Sequence, residues 1–368
     1  MKPKYSIPSM HDIATIPWNG KSVASTFSGC GGSSLGYKMA GYKVLWANEF
    51  IPEAQKCYEK NHKETKLDKR NIRLIKGNEI LEATKLQEGE LDILDGSPPC
   101  ASFSIAGNRE KDWGKIKKYS DTSERTDDLF FEFARILKEI MPKVFVAENV
   151  KGLTIGEAKN LLGSPQLDMF DSQEETIYHT LANAGYKVKF RVLNAQNYGV
   201  PQARQRAIFV GVRNDLAKEP QYPDAFGYFY SVKDAIDGVE NTPQDIKEAS
   251  HSPNSKVLSM VRKLSQGQSG DSLEEANGSY FGLVRVDENK PCPTICQRQG
   301  NKGACLIHPN EDRELTVKEL ARLSSFPDDF IFTGTYKQRC ERIGRAVPPL
   351  MMKAVAGAIY EKILNENT

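Results

Sequence analysis

Cys100 closes the run Asp95-Gly96-Ser97-Pro98-Pro99-Cys100, which follows the apolar stretch at residues 91–94. Two prolines fix the backbone there, and the carboxyl edge of a strand is where open α/β sheets bind ligands. A cysteine taken at random is more often a small buried apolar side chain than a nucleophile, but this placement favours the nucleophile. Glu148-Asn149-Val150 ends another strand-like run, and a carboxyl buried beside a thiol can hold a proton and act as an acid. In Gln202-Ala203-Arg204-Gln205-Arg206 the two arginines alternate, so a strand would turn both to one face; alone, this reads as a solvated strand edge. Phe27-Ser28-Gly29-Cys30-Gly31-Gly32 lies between a strand and a helix, with Glu49 at the end of the next strand. Glycines let a ligand approach the backbone, and such a glutamate can bind ribose hydroxyls. The spacing departs from a strict dinucleotide fingerprint, which disfavours a dehydrogenase.

Together and in this order, the four segments resemble the DNA cytosine-C5 methyltransferase family. The likeness continues through residues 313–323, Phe326-Pro327-Asp328 and Ile343-Gly344-Arg345-Ala346-Val347-Pro348-Pro349. It covers residues 21–213 and 291–365, and fades over 214–290. The resemblance implies a doubly wound, Rossmann-like α/β sheet that binds S-adenosylmethionine, with a smaller inserted target-recognition domain. The catalytic domain would be residues 1–213 and 311–368, and the recognition domain 214–310. Carried over, Cys100 adds to C6 of cytosine, Glu148 holds or protonates N3, Arg204 stabilises the activated base beside Arg206, and Asn149 shapes the pocket. Phe27, Ser28, Gly29, Cys30, Gly31, Gly32, Glu49, Phe50, Asn78, Glu79, Pro98, Leu129, Arg345 and Ala346 fall on cofactor-site positions. The chemistry agrees: C5 becomes nucleophilic only when a thiolate bonded to C6 leaves an enamine, and the base must leave the duplex stack to be reached.

Residues 101–126, with Ser102, Arg109 and a string of lysines, resemble the family's mobile loop that closes on DNA. Gln266 and Gln268, and Gln297 and Arg298, sit in glycine-containing segments and carry side chains suited to reading base edges. Three positions depart from the family pattern. Asn78 replaces an aspartate that faces the adenine, Ala101 a glutamine, and Arg345 an asparagine. Arg345 has three readings: a pair with Glu49, a pair with the cofactor's carboxylate, or a surface cation. Cys292, Cys296, Cys305 and His308 do not have zinc-finger or ribbon spacing, so no metal is expected.

The elements that must position these groups are legible. Residues 21–27, 42–47, 91–94, 143–147, 186–193 and 207–212 read as strands, and helices intervene, the pattern of a mainly parallel sheet. Leu129–Ile140 has an apolar face of helical period. Thr316 and Glu319 form a capping-box pattern. A final helix after Pro348-Pro349 carries an apolar face that needs the N-terminal sheet as its core.

The composition, with 39% hydrophobic and 27% charged residues over 368, is that of a globular protein. No apolar run spans a bilayer, and residues 1–21 lack a signal-peptide core, so a cytoplasmic location without a membrane is expected. Seven cysteines, an odd number, do not suggest a secreted disulfide framework. A net charge of +2 leaves room for nucleic acid only where the positive charge is concentrated. Double-stranded DNA is the expected partner of a monomeric enzyme, with a cognate restriction endonuclease as a possible companion. An RNA-modifying relative, a catalytically silent DNA binder and an N6-adenine methyltransferase are the rival readings; Cys100 stands where the last would need an aromatic residue.

Overall fold

Neighbouring residues along the central strands are buried on opposite faces, so one sheet carries two cores. The computed structural model describes residues 2–98, 117–119, 122–124, 129–150, 177–277, 279–300 and 304–365; Cys100, Ser102 and Arg109 lie outside them. Seven strands form the sheet: β1 (Ser22–Thr26), β2 (Lys43–Asn48), β3 (Lys66–Asp68), β4 (Ile93–Gly96), β5 (Val144–Val150), β6 (Tyr186–Asn194) and β7 (Gln205–Arg213). Their order is β3-β2-β1-β4-β5-β7-β6. Pairing is parallel from β3 through to β5, and β7 runs antiparallel to both β5 and β6. The connection from β6 to β7, residues 195–204, is too short for a parallel crossover, so β7 must reverse. The order changes direction between β1 and β4, which places a switch-point crevice at their carboxyl ends.

The helices α1 (Gly32–Met39), α2 (Pro52–Asn61), α3 (Gly77–Thr84), α4 (Leu129–Ile140) and α5 (Ile177–Ala182) follow β1 to β5 in turn. Ala24, Leu94, Phe145 and Phe209 face α3, α4 and α5. Val23, Ile93, Val144, Val146, Ile208 and Val210 face the opposite core. This alternation is what a two-sided sheet demands. β4 begins two residues later than its apolar run, and Asp92 just before it anchors the amino end of the strand. Its carboxylate accepts from the Ser22 N–H at 2.8 Å and the Lys143 ammonium at 2.8 Å.

The C-terminal elements α6 (Val317–Leu323), α7 (Tyr336–Arg345) and α8 (Pro349–Ile359) return to this body. As the apolar face requires, α8 docks on the sheet. The residues it buries there include Met351, Met352 and Ala356 besides the expected Val355 and Ile359. The capping box is present: Thr316 accepts from the Glu319 N–H, and Glu319 accepts from the Thr316 N–H.

Among the described residues of 214–310 are three short α-helices (Val232–Ile236, Pro243–Ala249, Lys256–Val261) and a parallel pair, Val284–Arg285 with Leu306–Ile307. A small core of Met260, Val261, Leu264, Leu283, Cys305 and Ile307 lies within them. Packing nevertheless does not divide at residue 214 or 310. Val232, Ala235, Val286, Cys292 and Ile295 share a core with Leu35, Leu320 and Ile343, and Cys292–Pro293 pairs with Gln202–Ala203. Among the described residues, no helix is long and apolar enough to cross a membrane.

Candidate active site

The carboxyl ends of β1, β2, β4 and β5, with the start of β7, converge on one edge of the sheet, as parallel strands and a reversed neighbour must. Phe27 follows β1 with φ of 53°, a left-handed conformation rare for an aromatic residue, and such strain clusters at ligand sites. The Gly29 N–H donates to Glu49 Oε2 at 2.7 Å, and the Ile51 N–H to Glu49 Oε1 at 2.7 Å. Burial pushes the Glu49 carboxyl up, while those two amides and nearby Arg342 and Arg345 pull it back. A Cβ added to Gly29 would meet nothing within 4 Å, so open space borders this turn. That cradle, rimmed by the half-exposed Phe27 and Phe50, fits the adenosyl cofactor expected here.

The other glycines serve packing. A Cβ on Gly32 would lie 2.3 Å from the Val347 carbonyl oxygen, and one on Gly31 would lie 2.1 Å from His62 Nε2. The Cys30 side chain turns away from the cradle. It points into the core shared with Leu320 and Ile343, and its thiol reaches the Arg342 carbonyl at 3.7 Å. Leu129 is likewise a core residue, packed beside Phe130 and Phe133. Asn78 is exposed in the first turn of α3, and Glu79 caps that helix and pairs with Arg70 at 2.8 Å. Arg345, the last residue of α7, bonds Glu341 one turn earlier at 2.7 Å, and its charge also acts on the Glu49 carboxyl. Ala346 follows it, half-buried against Gly32.

Beside the cofactor crevice, Asn149 donates from Nδ2 to the Pro98 carbonyl at 3.3 Å, tying the end of β5 to the segment leading to Cys100. Arg206 Nε lies 2.7 Å from Glu148 Oε1. The two arginines expected on one face differ in surroundings, because the strand is interrupted at Arg204, between Gln202–Ala203 and β7. Arg204 is buried, donating to the Ile295 carbonyl at 3.0 Å and the Gly344 carbonyl at 3.0 Å. Burial and the neighbouring Arg206 push its guanidinium down to about 9, so it remains charged at neutral pH. It is thus a clamp between segments, and Arg206 is the cation that meets Glu148.

Two groups escaped the sequence reading. Gln202 is a latch: its Nε2 donates to Ser324 Oγ at 3.1 Å, and its Oε1 accepts from the Ile295 N–H at 3.1 Å. Asp95 lies between the cofactor turn and the Cys100 segment and accepts from Ser25 at 2.9 Å, Ser33 at 2.9 Å and Tyr37 at 3.3 Å. Its place in Asp-Gly-Ser-Pro-Pro-Cys was the available signal. Of the base-reading candidates, Gln297 and Arg298 are exposed. Gln266 and Gln268 are committed locally: Gln266 bonds Asn310 and the Glu288 N–H, and Gln268 accepts from the Ser265 N–H.

The sequence that carries these groups matches the family model described as C-5 cytosine-specific DNA methylase over residues 22–361. The chain belongs to that family. It is 33% identical over 365 residues to the Type II methyltransferase M.Eco47II of Escherichia coli, covering 95% of this chain and 81% of the relative. It is 32% identical over 352 residues to M1.HphI of Haemophilus parahaemolyticus, covering 92% and 87%. A solved structure of a putative DNA modification methyltransferase encoded within an E. coli prophage shares the fold, with a TM-score of 0.71 and 23% identity over 94% of this chain. The protein is a DNA cytosine-C5 methyltransferase with the expected α/β architecture, and methyltransferases of this family use S-adenosylmethionine.

Proposed function

We propose that this methyltransferase works through a covalent adduct between Cys100 and C6 of a cytosine flipped from double-stranded DNA. Thiolate addition at C6 sends electron density to C5, and a proton placed at N3 stabilises the product. Glu148 faces N3, with Arg206 fixing its carboxylate and presenting positive charge to the base. Arg204 acts one step removed, clamping residue 295 and Gly344 behind that pair, while Asn149 holds the Pro98 backbone that leads to Cys100. Glu49, the Gly29 turn, Phe27, Phe50, Asn78 and Pro98 hold S-adenosylmethionine, which when bound supplies an electrophilic methyl group for C5. Loss of the C5 proton and expulsion of the Cys100 thiolate then restore the aromatic ring.

The Glu148–Arg206 pair beside the Asn149–Pro98 tie carries this reading, because it gathers acid, cation and nucleophile segment at one sheet edge. Residues 214–310 serve as the target-recognition domain, the protein acts as a monomer in the cytoplasm, and a restriction endonuclease of the same specificity accompanies it. DNA from cells expressing the wild type should show new methylated cytosines on bisulfite sequencing at one short sequence. Cys100→Ser should abolish them while retaining DNA binding. DNA bearing 5-fluorocytosine should trap the wild type covalently, and equal trapping by Cys100→Ser would refute the assignment.

A further inference from the structure

Three segments far apart in sequence bring a histidine, a cysteine and a carboxylate together outside the catalytic crevice. The donor atoms of His251, Cys305 and Glu314 all lie within 4.8 Å of one another, and all three residues are buried. Backbone contacts hold the segments side by side. The Glu314 N–H donates to the Ala249 carbonyl at 2.9 Å, Ser250 bridges Arg313, and Ile307, two residues after Cys305, bridges Glu314. Tyr336 of α7 donates its hydroxyl to Glu314 Oε2 at 3.1 Å and so orients the carboxylate. The pattern Cys292, Cys296, Cys305 and His308 does not come together as a set; Cys305 instead meets His251 and Glu314.

Buried ionisable groups are rare unless they are paired or coordinate a metal. A thiolate and a carboxylate with a neutral imidazole total two negative charges, which a divalent cation cancels inside the low-dielectric interior. Soft sulfur excludes magnesium and calcium as the natural occupant and suits zinc, whose bonds to sulfur and nitrogen of about 2.3 and 2.0 Å need only a small contraction of the cluster. We propose that His251, Cys305 and Glu314 form a structural zinc site, with water as the fourth ligand. The ion joins the segment that carries His251 to the Leu306–Ile307 strand and to the entry into α6. It thereby braces residues 284–300, including the exposed Arg298, against the catalytic body.

Full-length protein treated with a chelator and desalted should be titrated with cobalt(II) and then with zinc(II). One equivalent of cobalt should bind with a thiolate-to-metal charge-transfer band, which zinc displaces, and zinc should raise the melting temperature. Cys305→Ser should lose the band, whereas Cys296→Ser, at an exposed thiol, should keep it. Where Cys305→Ser fails to fold, Glu314→Gln and His251→Asn each serve instead. Loss of a direct ligand should weaken cobalt by more than the roughly 10–100-fold typical of an outer-shell change. A folded wild type with no charge-transfer band, or a band that survives Cys305→Ser or both other variants at full affinity, would overturn the site.

Discussion

At the scale of single residues, Asp95 shows how the two halves of the crevice are joined. Its carboxyl receives Ser25 from β1 and Ser33 and Tyr37 from α1, so it ties the cofactor turn to the strand that leads to Cys100. Burial, with Glu148 nearby, outweighs those donors and lifts the group from its ordinary 3.8 to about 7. The folded state therefore binds a proton that the unfolded chain releases near pH 4. The stability this contributes is full in acid and is lost as pH rises from about 4 to 7. Asp95→Asn keeps a neutral acceptor, so relative to wild type it should gain about 2–3 kcal/mol in urea unfolding between pH 5 and pH 8. Parallel profiles for the two proteins would assign the charge no such role. At this scale the sequence revealed which atoms could react, since Glu148, Arg206 and Glu49 were visible as types at strand ends. It could not reveal that Arg204 turns into the interior while Arg206 meets Glu148, because that depends on a strand break set by contacts with residues 295 and 344.

Secondary-structure elements were legible where one physical demand dominated. Leu129–Ile140 forms the helix that its apolar period requires, and Thr316 and Glu319 cap α6 as their spacing dictates. The glycine turn was less legible, because one letter covers different demands. Gly29 has a φ of 58° and open space at its Cβ direction, whereas Gly32 would drive a Cβ to 2.3 Å from the Val347 carbonyl oxygen. Alanine at Gly29 should cost about 1–2 kcal/mol of stability for the left-handed backbone. It should also impair binding of S-adenosylhomocysteine, because the new methyl enters the cradle. Alanine at Gly32 must instead push α1 away from residues 346–347, costing roughly 1–3 kcal/mol or more. Thermal melts and calorimetric titration with S-adenosylhomocysteine separate the two. A Gly32→Ala protein as stable as wild type would contradict the close approach between α1 and the start of α8.

On the scale of the whole molecule, the catalytic sheet and residues 214–310 share more than their sequence textures suggested. The change at residue 214 is a real shift from regular periods to turns, but Cys292 and Ile295 still pack with α6 and α7, and Cys292–Pro293 still pairs with Gln202–Ala203. Gln297 and Arg298 come four and five residues after that shared strand, just beyond Ile295, whose carbonyl receives Arg204, and both are exposed. An exposed guanidinium there can take guanine through two hydrogen bonds, worth about 1–3 kcal/mol of discrimination against another base. Gln266 and Gln268 lie in an equally glycine-rich segment, but their amides already serve Asn310, Glu288 and Ser265. Arg298→Ala should therefore relax the methylated sequence at one base pair, by up to roughly 100-fold in relative rate at the upper end of that range. Gln266→Ala and Gln268→Ala should leave the pattern intact and lower only the stability of their segment. Bisulfite sequencing after expression of each variant reads the difference directly. An unchanged pattern with Arg298→Ala, or a relaxed one with Gln268→Ala, would move base reading to another part of residues 214–310.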